Sequence, residues 1–343
     1  MANINDVAKR AGVSPTTAKR AIHTPDLLRP QTLERVQEAI RDLNYEPDML
    51  ASALRSGQSR TVGLIIGNIV EPFFAELVRA VSKALRGRGY TLLVAENEYD
   101  SKVELKSLKA FRGNRIGGLI IRSGYGEPNL TYLEQMRSRG TAIVEVDYFY
   151  PGSPFSHVML DNRTCIFEGV RYLAGLGHRR IAALGSYDPE VQPDERVRAF
   201  PEALAEAGLA LPDGYRGVVR PTQEDAYQFT RHLMQLPEPP TVLFANTGRM
   251  AIGAFQALRE LDLKVPGDVS LLSFDNYPWT ELVDPPVDVI EQPVAEMGER
   301  AVNILLEQIA DPKAGPTRVR LAGKLIKRGS CARPRVPDLA ASV

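Results

Sequence analysis

At 343 residues the chain has room for more than one domain, and its 44% hydrophobic and 24% charged content is that of a folded globular protein rather than a disordered or fibrous one. Its 42 basic and 42 acidic residues cancel, which excludes a generic polyanion binder. Two distant cysteines, Cys165 and Cys331, exclude a disulfide scaffold and a zinc cluster, and the polar N-terminus and lack of a long apolar run argue against a signal peptide or membrane span. A cytoplasmic protein with reduced thiols, no metal and no membrane partner is the expectation.

The first elements in chain order carry the most information. The run Ile4-Asn5-Asp6-Val7-Ala8-Lys9-Arg10-Ala11 places Val7, Ala8 and Ala11 on one helical face. Gly12 stands where the chain must leave that helix, a position that favours a left-handed residue. Ser14 suits the N-cap of a second helix and Pro15 its first turn. That helix presents Thr16, Thr17, Lys19 and Arg20, as a helix lying in the major groove of DNA requires. Residues 1–30 hold five cations against two carboxylates, a local excess able to attract phosphates despite the neutral whole.

A third helix is predicted over roughly 30–43, from the spacing of Leu33, Val36, Ile40 and Leu43, and Asn44-Tyr45-Glu46-Pro47 closes the domain. Residues 48–57 read as a short helix capped by Asp48 and ended by Gly57, too short to persist alone in water. From residue 60 onward, strand-like runs alternate with amphipathic helices. Strands are predicted over 62–66, 90–95, 118–122, 142–146, 158–161, 181–184, 242–245, 269–274 and 287–290. Helices are predicted over 74–88, 103–112, 165–176, 194–207, 226–234, 250–261 and 294–309. Such alternation implies parallel sheets covered by helices. It runs twice, dividing near residue 160, so two doubly wound lobes with a ligand cleft between them follow.

The chain resembles the LacI/GalR family of transcriptional repressors over almost its whole length. The resemblance rests on Ile4-Asn5-Asp6-Val7-Ala8, Ala11-Gly12-Val13-Ser14, Asn44-Tyr45-Glu46-Pro47, Val62-Gly63-Leu64-Ile65, Pro72-Phe73-Phe74, Leu176-Gly177-His178-Arg179-Arg180-Ile181, Val265-Pro266-Gly267-Asp268-Val269-Ser270, Phe274-Asp275-Asn276 and Leu325-Ile326-Lys327-Arg328-Gly329-Ser330, all in order. It implies an α + α/β protein. A three-helix helix-turn-helix domain spans 1–47 and a hinge helix with linker 48–60. A periplasmic-binding-protein-like core follows over 61–330, with an N-lobe of about 61–160 plus 291–322 and a C-lobe of about 161–290. Residues 331–343 form a short tail. The resemblance further implies a homodimer on a pseudo-palindromic double-stranded DNA operator. The tail carries no leucine heptad, so a dimer rather than a coiled-coil tetramer is expected.

By that resemblance Pro15, Thr16 and Arg20 read bases, with Arg20 suited to guanine O6 and N7, while Ser14 and Thr17 contact phosphate. Lys19 departs from the family, where Val-Ser is usual at Ala18-Lys19; it either adds a DNA contact or is a solvated lysine on the helix back. Leu54 occupies the family's minor-groove wedge, the alternative being packing against its own body. The effector pocket is expected to include Phe73, Arg122, Asp161, Arg196, Asn246 and Asp275. Carboxylate and guanidinium suit hydroxyl groups, and an aromatic face suits a sugar ring. Trp279 either walls the pocket or belongs to the core. Thr247 replaces the family's common aspartate and can still cap the following helix. Arg122 stands where a small or amide residue is common. It suggests an anionic effector, such as a sugar acid or sugar phosphate, unless it forms a structural ion pair.

No catalytic constellation emerges. His23, His157, His178 and His232 are scattered, and there is no HExxH, GxSxG or phosphate-loop pattern. An exported solute-binding protein shares the two-lobed body but has no use for residues 1–57. A sugar hydrolase or isomerase needs a convergent acid–base set, for which only the cleft carboxylates are candidates. A ligand-controlled DNA-binding regulator without cofactor or enzymatic activity is the expectation.

Overall fold

The computed structural model describes residues 2–45, 59–125, 128–150, 152–185, 195–218 and 222–335. The expected hinge helix over 48–57, with Leu54, lies outside the described residues. The chain divides into two compact units, Met1–Arg60 and Thr61–Val343.

The first unit holds α1 (Ile4–Ala11), α2 (Pro15–His23) and α3 (Pro30–Asp42), with a 3-10 turn at Pro25–Leu27 that the periodicity did not predict. Asn3 caps α1 through a reciprocal box, its Oδ1 accepting from the Asn5 and Asp6 amides while Asp6 accepts from the Asn3 amide at 2.8 Å. Gly12 ends α1 at φ +64°, so the turn needs its left-handed freedom. Ser14 caps α2, its Oγ accepting from the Thr17 amide at 3.1 Å. The core is built largely from small residues, Val7, Ala8, Ala11, Ala18, Ala21, Val36 and Ala39. Alanine on the inner faces lets three short helices approach closely. Arg10 clamps α1 to α3 through Asp42 at 2.7 Å.

The second unit contains two six-stranded sheets. The first lobe carries β1 (Thr61–Ile66), α4 (Pro72–Arg86), β2 (Thr91–Glu96), α5 (Ser101–Gly113), β3 (Gly118–Ile121), α6 (Leu130–Ser138), β4 (Ala142–Val146) and β5 (Ser156–Leu160). The second carries α7 (Asn162–Gly175), β6 (Ile181–Gly185), α8 (Glu195–Glu206), β7 (Arg216–Val218), α9 (Gln223–Met234), β8 (Val242–Ala245), α10 (Gly248–Glu260), β9 (Ser270–Phe274), α11 (Trp279–Leu282) and β10 (Asp288–Glu291). The chain then returns through α12 (Val294–Ala310) and β11 (Arg318–Leu321) to the first lobe and ends with β12 (Lys324–Ile326) in the second.

The first sheet runs β2-β1-β3-β4-β5-β11, parallel throughout; the second runs β7-β6-β8-β9-β10-β12, with only β12 antiparallel. Central strands are buried on both faces, which explains runs such as Val62–Ile66 that read as continuously apolar. Alternate residues of one strand feed separate cores. Leu64 and Ile66 face α4 and α12, whereas Ile65 faces α5.

Three differences from the sequence reading have physical causes. α6 is short, and of its residues only Leu133 and Met136 are buried, so its apolar signal is weak. β11 and β12 are short edge strands with no fully buried residue, and their partners lie far away in sequence. The expected tail from 331 is in part body. Cys331 is buried, the Ala332 amide donates to Ser270 Oγ at 3.1 Å, and Arg335 meets Asp268 at 3.1 Å.

Candidate functional site

A cavity of about 300 Å³ opens between the two lobes. It is lined by residues at or just beyond the carboxyl ends of strands from both sheets, where doubly wound sheets bind ligands. Glu71, Phe73 and Phe74 follow β1, Tyr99 follows β2, Arg122 and Tyr125 follow β3, and Asp147, Tyr148 and Phe149 follow β4. The other lobe supplies Asn162, Arg196, Arg198, Thr247, Asp275 and Tyr277, and Gln292 follows β10 on the crossover between the lobes. Tyr99, Asp147 and Asp275 hold positive φ of 62°, 66° and 69°. Non-glycine residues rarely adopt that conformation, and where they do it often marks a site.

Of the expected effector residues, Phe73, Arg122, Arg196 and Asp275 line the cavity. Asp275 accepts from the Gly248 amide at 2.9 Å and from Gln292 Nε2 at 2.6 Å, so it is fixed rather than free to swing. Arg196 is buried, with Nε donating to Asn162 Oδ1 and Nη1 to the Asn246 carbonyl, each at 2.7 Å. Its guanidinium lies 4.1 Å from the Phe274 ring centroid.

Arg122 is only 4% exposed and is committed to protein partners. Its carbon Cζ lies 4.7, 4.5 and 4.9 Å from the ring centroids of Tyr99, Tyr125 and Tyr148. Nη1 donates to the Ser123 carbonyl at 2.7 Å, Nη2 to the Tyr125 hydroxyl at 2.6 Å, and Nε lies 3.5 Å from Asp147. The structure therefore places it in a structural ion pair within a tyrosine cage. Attraction from Tyr125 and Asp147 outweighs desolvation and holds its pKa above the ordinary arginine value.

Three expected residues are placed differently. Asp161 does not line the cavity. It caps α7, which starts three residues earlier than predicted, and both carboxylate oxygens turn back to Thr164 at 3.2 and 2.8 Å. The next residue, Asn162, lines the cleft instead. Asn246 lies beneath the lining; its side-chain amide has no hydrogen-bond partner among the described residues. Trp279 packs against Phe255, with ring centroids 5.8 Å apart, between the cores of both lobes, and Tyr277 provides the wall. Thr247 caps α10 as expected of it, accepting from the Met250 amide at 3.2 Å.

The sequence reading missed Glu71, Tyr99, Tyr125, Asp147, Tyr148, Tyr277 and Gln292. Inspecting the residues just after each predicted strand would have raised Tyr99, Asp147 and Tyr148. Burial pushes the Glu71 carboxyl upward, and it accepts from the Tyr99 hydroxyl at 2.7 Å. Glu71 also meets Arg249 of the opposite lobe at 3.4 Å, and Arg320 meets Glu195 across the lobes at 2.8 Å.

On α2 of the first unit, Pro15, Thr16, Lys19 and Arg20 are exposed on one side, while Ala18 and Ala21 are buried on the other. Ser14, also exposed, and the partly buried Thr17 are linked hydroxyl to hydroxyl at 2.9 Å.

Three helices among the described residues of the first unit, one of them cationic, together with a two-lobed core whose cleft lies between parallel sheets, define a ligand-responsive DNA-binding regulator. Residues 3–48 match the family model for bacterial regulatory proteins of the lacI family, and residues 170–331 match a periplasmic binding protein-like domain. The repressor CytR of Escherichia coli (strain K12) is 31% identical over 331 residues, covering 96% of each chain. A CelR–cellobiose complex has 26% identity and a TM-score of 0.71, covering 96% of this chain and 100% of that one. A Lac repressor dimer bound to operator and the anti-inducer ONPF matches in fold, with a TM-score of 0.84 at 22% identity over 96% and 99% of the two chains. The chain belongs to the LacI family of bacterial transcriptional repressors. Its relatives are repressors rather than enzymes. Among the described residues, no helix is long and apolar enough to cross a membrane.

Proposed function

We propose that this repressor binds a pseudo-palindromic operator as a homodimer and is controlled by a neutral polyol, a sugar or sugar derivative, held between the lobes of its core. The observation that carries the effector reading is the state of Arg122. The cation that suggested an anionic effector is already neutralised by Asp147 and enclosed by three tyrosines. What the cleft offers a ligand is aromatic surface and fixed hydrogen-bonding groups, including Gln292 Oε1, which is buried without a partner among the described residues. Such a lining suits ring faces and hydroxyls. The cellobiose bound by CelR and the operator bound by the Lac repressor dimer are in keeping with the reading.

In this reading Arg20 and Thr16 contact base edges, Pro15 offers apolar contact, and Ser14, Thr17 and Lys19 position the helix on phosphates. Leu54 serves as the minor-groove wedge. Asp275, Arg196 and Phe73 hold the effector, with Asn162 in the role first expected of Asp161. The effector binds one arrangement of the lobes better and shifts the population between operator-competent and incompetent states. One observation favours a second reading. Arg198 is exposed on the lining of the cleft and would suit the carboxylate or phosphate of an acidic sugar.

Selection from a random duplex library at near-physiological salt tests the DNA half. A symmetric enriched site is expected. Arg20→Ala should lose roughly 1–3 kcal/mol of discrimination at one base pair per half-site. Salt-sensitive binding without enrichment would refute it. A thermal-shift panel of neutral sugars, sugar acids and sugar phosphates tests the effector half; stabilisation by charged members alone would overturn the neutral reading.

A further inference from the structure

A second cavity lies against the edge of the first lobe, lined by Phe149, Gly152, Ser153, His157, Arg318 and Arg320. The sheet register assembles it. Arg318 on β11 stands opposite His157 on β5, and Arg320 opposite Met159, so Arg318, His157 and Arg320 share one face of the sheet. His157 is 7% exposed and stacks flat on Phe149, with ring centroids 4.3 Å apart and planes 11° from parallel. Its Nδ1 is buried with no hydrogen-bond partner among the described residues. No carboxylate among the described residues pairs with Arg318, whereas Arg320 shares its charge with Glu195 at 2.8 and 3.0 Å. Ser153 gives its hydroxyl proton to Glu145.

An imidazole held immobile by stacking, desolvated and left unpaired costs free energy unless something completes its hydrogen bonding. Burial, followed by the charges of Arg318 and Arg320, depresses the His157 pKa, which favours the neutral ring beside two cations. Two guanidinium groups and an imidazole lining one cavity on one face of the sheet suit a tetrahedral oxyanion.

We propose that this cavity is a second ligand site, for the phosphate group of a small molecule, held by Arg318, Arg320 and His157. It is distinct from the inter-lobe cleft but shares two of its walls, Phe149 and Arg320. An anion here competes with Glu195 for Arg320 and so loosens a tie between the lobes. By linkage, occupancy of the two sites is reciprocal. The proposal does not depend on the identity of the effector.

The test uses the full chain at constant ionic strength, titrated with inorganic phosphate, with glycerol 3-phosphate as a monoester and with chloride as control. Heat of binding and the ring nitrogen resonances of His157, one of four histidines, are followed. Saturable binding of either phosphate species with a displaced His157 signal is expected. Binding of both assigns the site to phosphate itself, and binding of the ester alone assigns it to esters. Arg318→Gln should weaken either by about tenfold or more. This exposed residue does not line the cleft, so cleft ligands should bind the variant unchanged. The proposal is overturned if chloride produces the same response, if neither phosphate saturates, or if the variant binds as the parent does.

Discussion

Glu145 is a carboxyl group with no exposed surface, contacted by the hydroxyls of Ser123 and Ser153. Burial pushes its pKa from 4.5 up to about 7, against the opposing effect of the two serines. The folded protein therefore retains a proton there that the unfolded chain has released. The contribution of Glu145 to stability is greatest below the unfolded value and falls as pH rises from about 4.5 to about 7, with the loss complete above the folded value. At 1.36 kcal/mol per pKa unit the loss is at most roughly 3 kcal/mol. Glu145→Gln should raise stability at pH 8 by up to that amount, leave it nearly unchanged at pH 4, and flatten the profile between. Urea unfolding at the two pH values measures this, and equal effects at both would show that Glu145 is not the group responsible. Legibility at this scale is uneven. The pattern of short polar and cationic residues on α2 was plain because every third or fourth residue of a helix shares a face. Arg122 was visible as unusual, but its meaning depended on three tyrosines and Asp147, which only the ends of neighbouring strands bring together.

The helices of the second lobe approach so closely that one residue sets their spacing. A Cβ at Gly253 on α10 would lie 2.1 Å from the Gln223 carbonyl oxygen on α9, which is backbone and cannot rotate away. Gly253→Ala should cost roughly 3 kcal/mol through overpacking, despite alanine's better helix propensity. Chemical denaturation of the variant gives the answer; unchanged or raised stability would mean that the two helices separate freely. From the sequence the same glycine is only a mild helix breaker. Elements with a strong period, such as β1 and α12, were recognisable because both their cores demand apolar side chains at fixed intervals. β11, β12 and α6 were not, because edge strands and half-exposed helices bury too few side chains to impose a period. The start of α7 was misplaced for a related reason. An aspartate before a helix reads equally well as a cap or as a ligand-binding group, and at Asp161 the choice is made by both carboxylate oxygens accepting from Thr164.

The two lobes of the core are tied by three chain crossings and by the ion pairs Glu71–Arg249 and Glu195–Arg320. Each pair has one half-exposed arginine and a more covered carboxylate, and pairs open to solvent on one side contribute about 1 kcal/mol to stability. In the proposed two-state reading, their placement across the cleft lets them bias an equilibrium between lobe arrangements that differ by about a few kcal/mol. The double variant Arg249→Gln with Arg320→Gln should unfold at nearly the parental denaturant concentration, yet show a larger radius of gyration by small-angle scattering without ligand. Scattering identical to the parent would mean that the crossings alone hold the lobes. The sequence by itself determined the class of this protein, because helix caps, strand–helix alternation and ordered motifs are local, and local physics writes them into adjacent residues. Only the tertiary structure decided what the cleft presents, because Arg122, Asp147, Asp275 and Gln292 follow different strands, Arg196 lies in the first turn of a helix, and they are close only after two sheets have formed. A charge in the sequence has no partner until the fold supplies one, and it is the partner that decides whether that charge is free to meet a ligand.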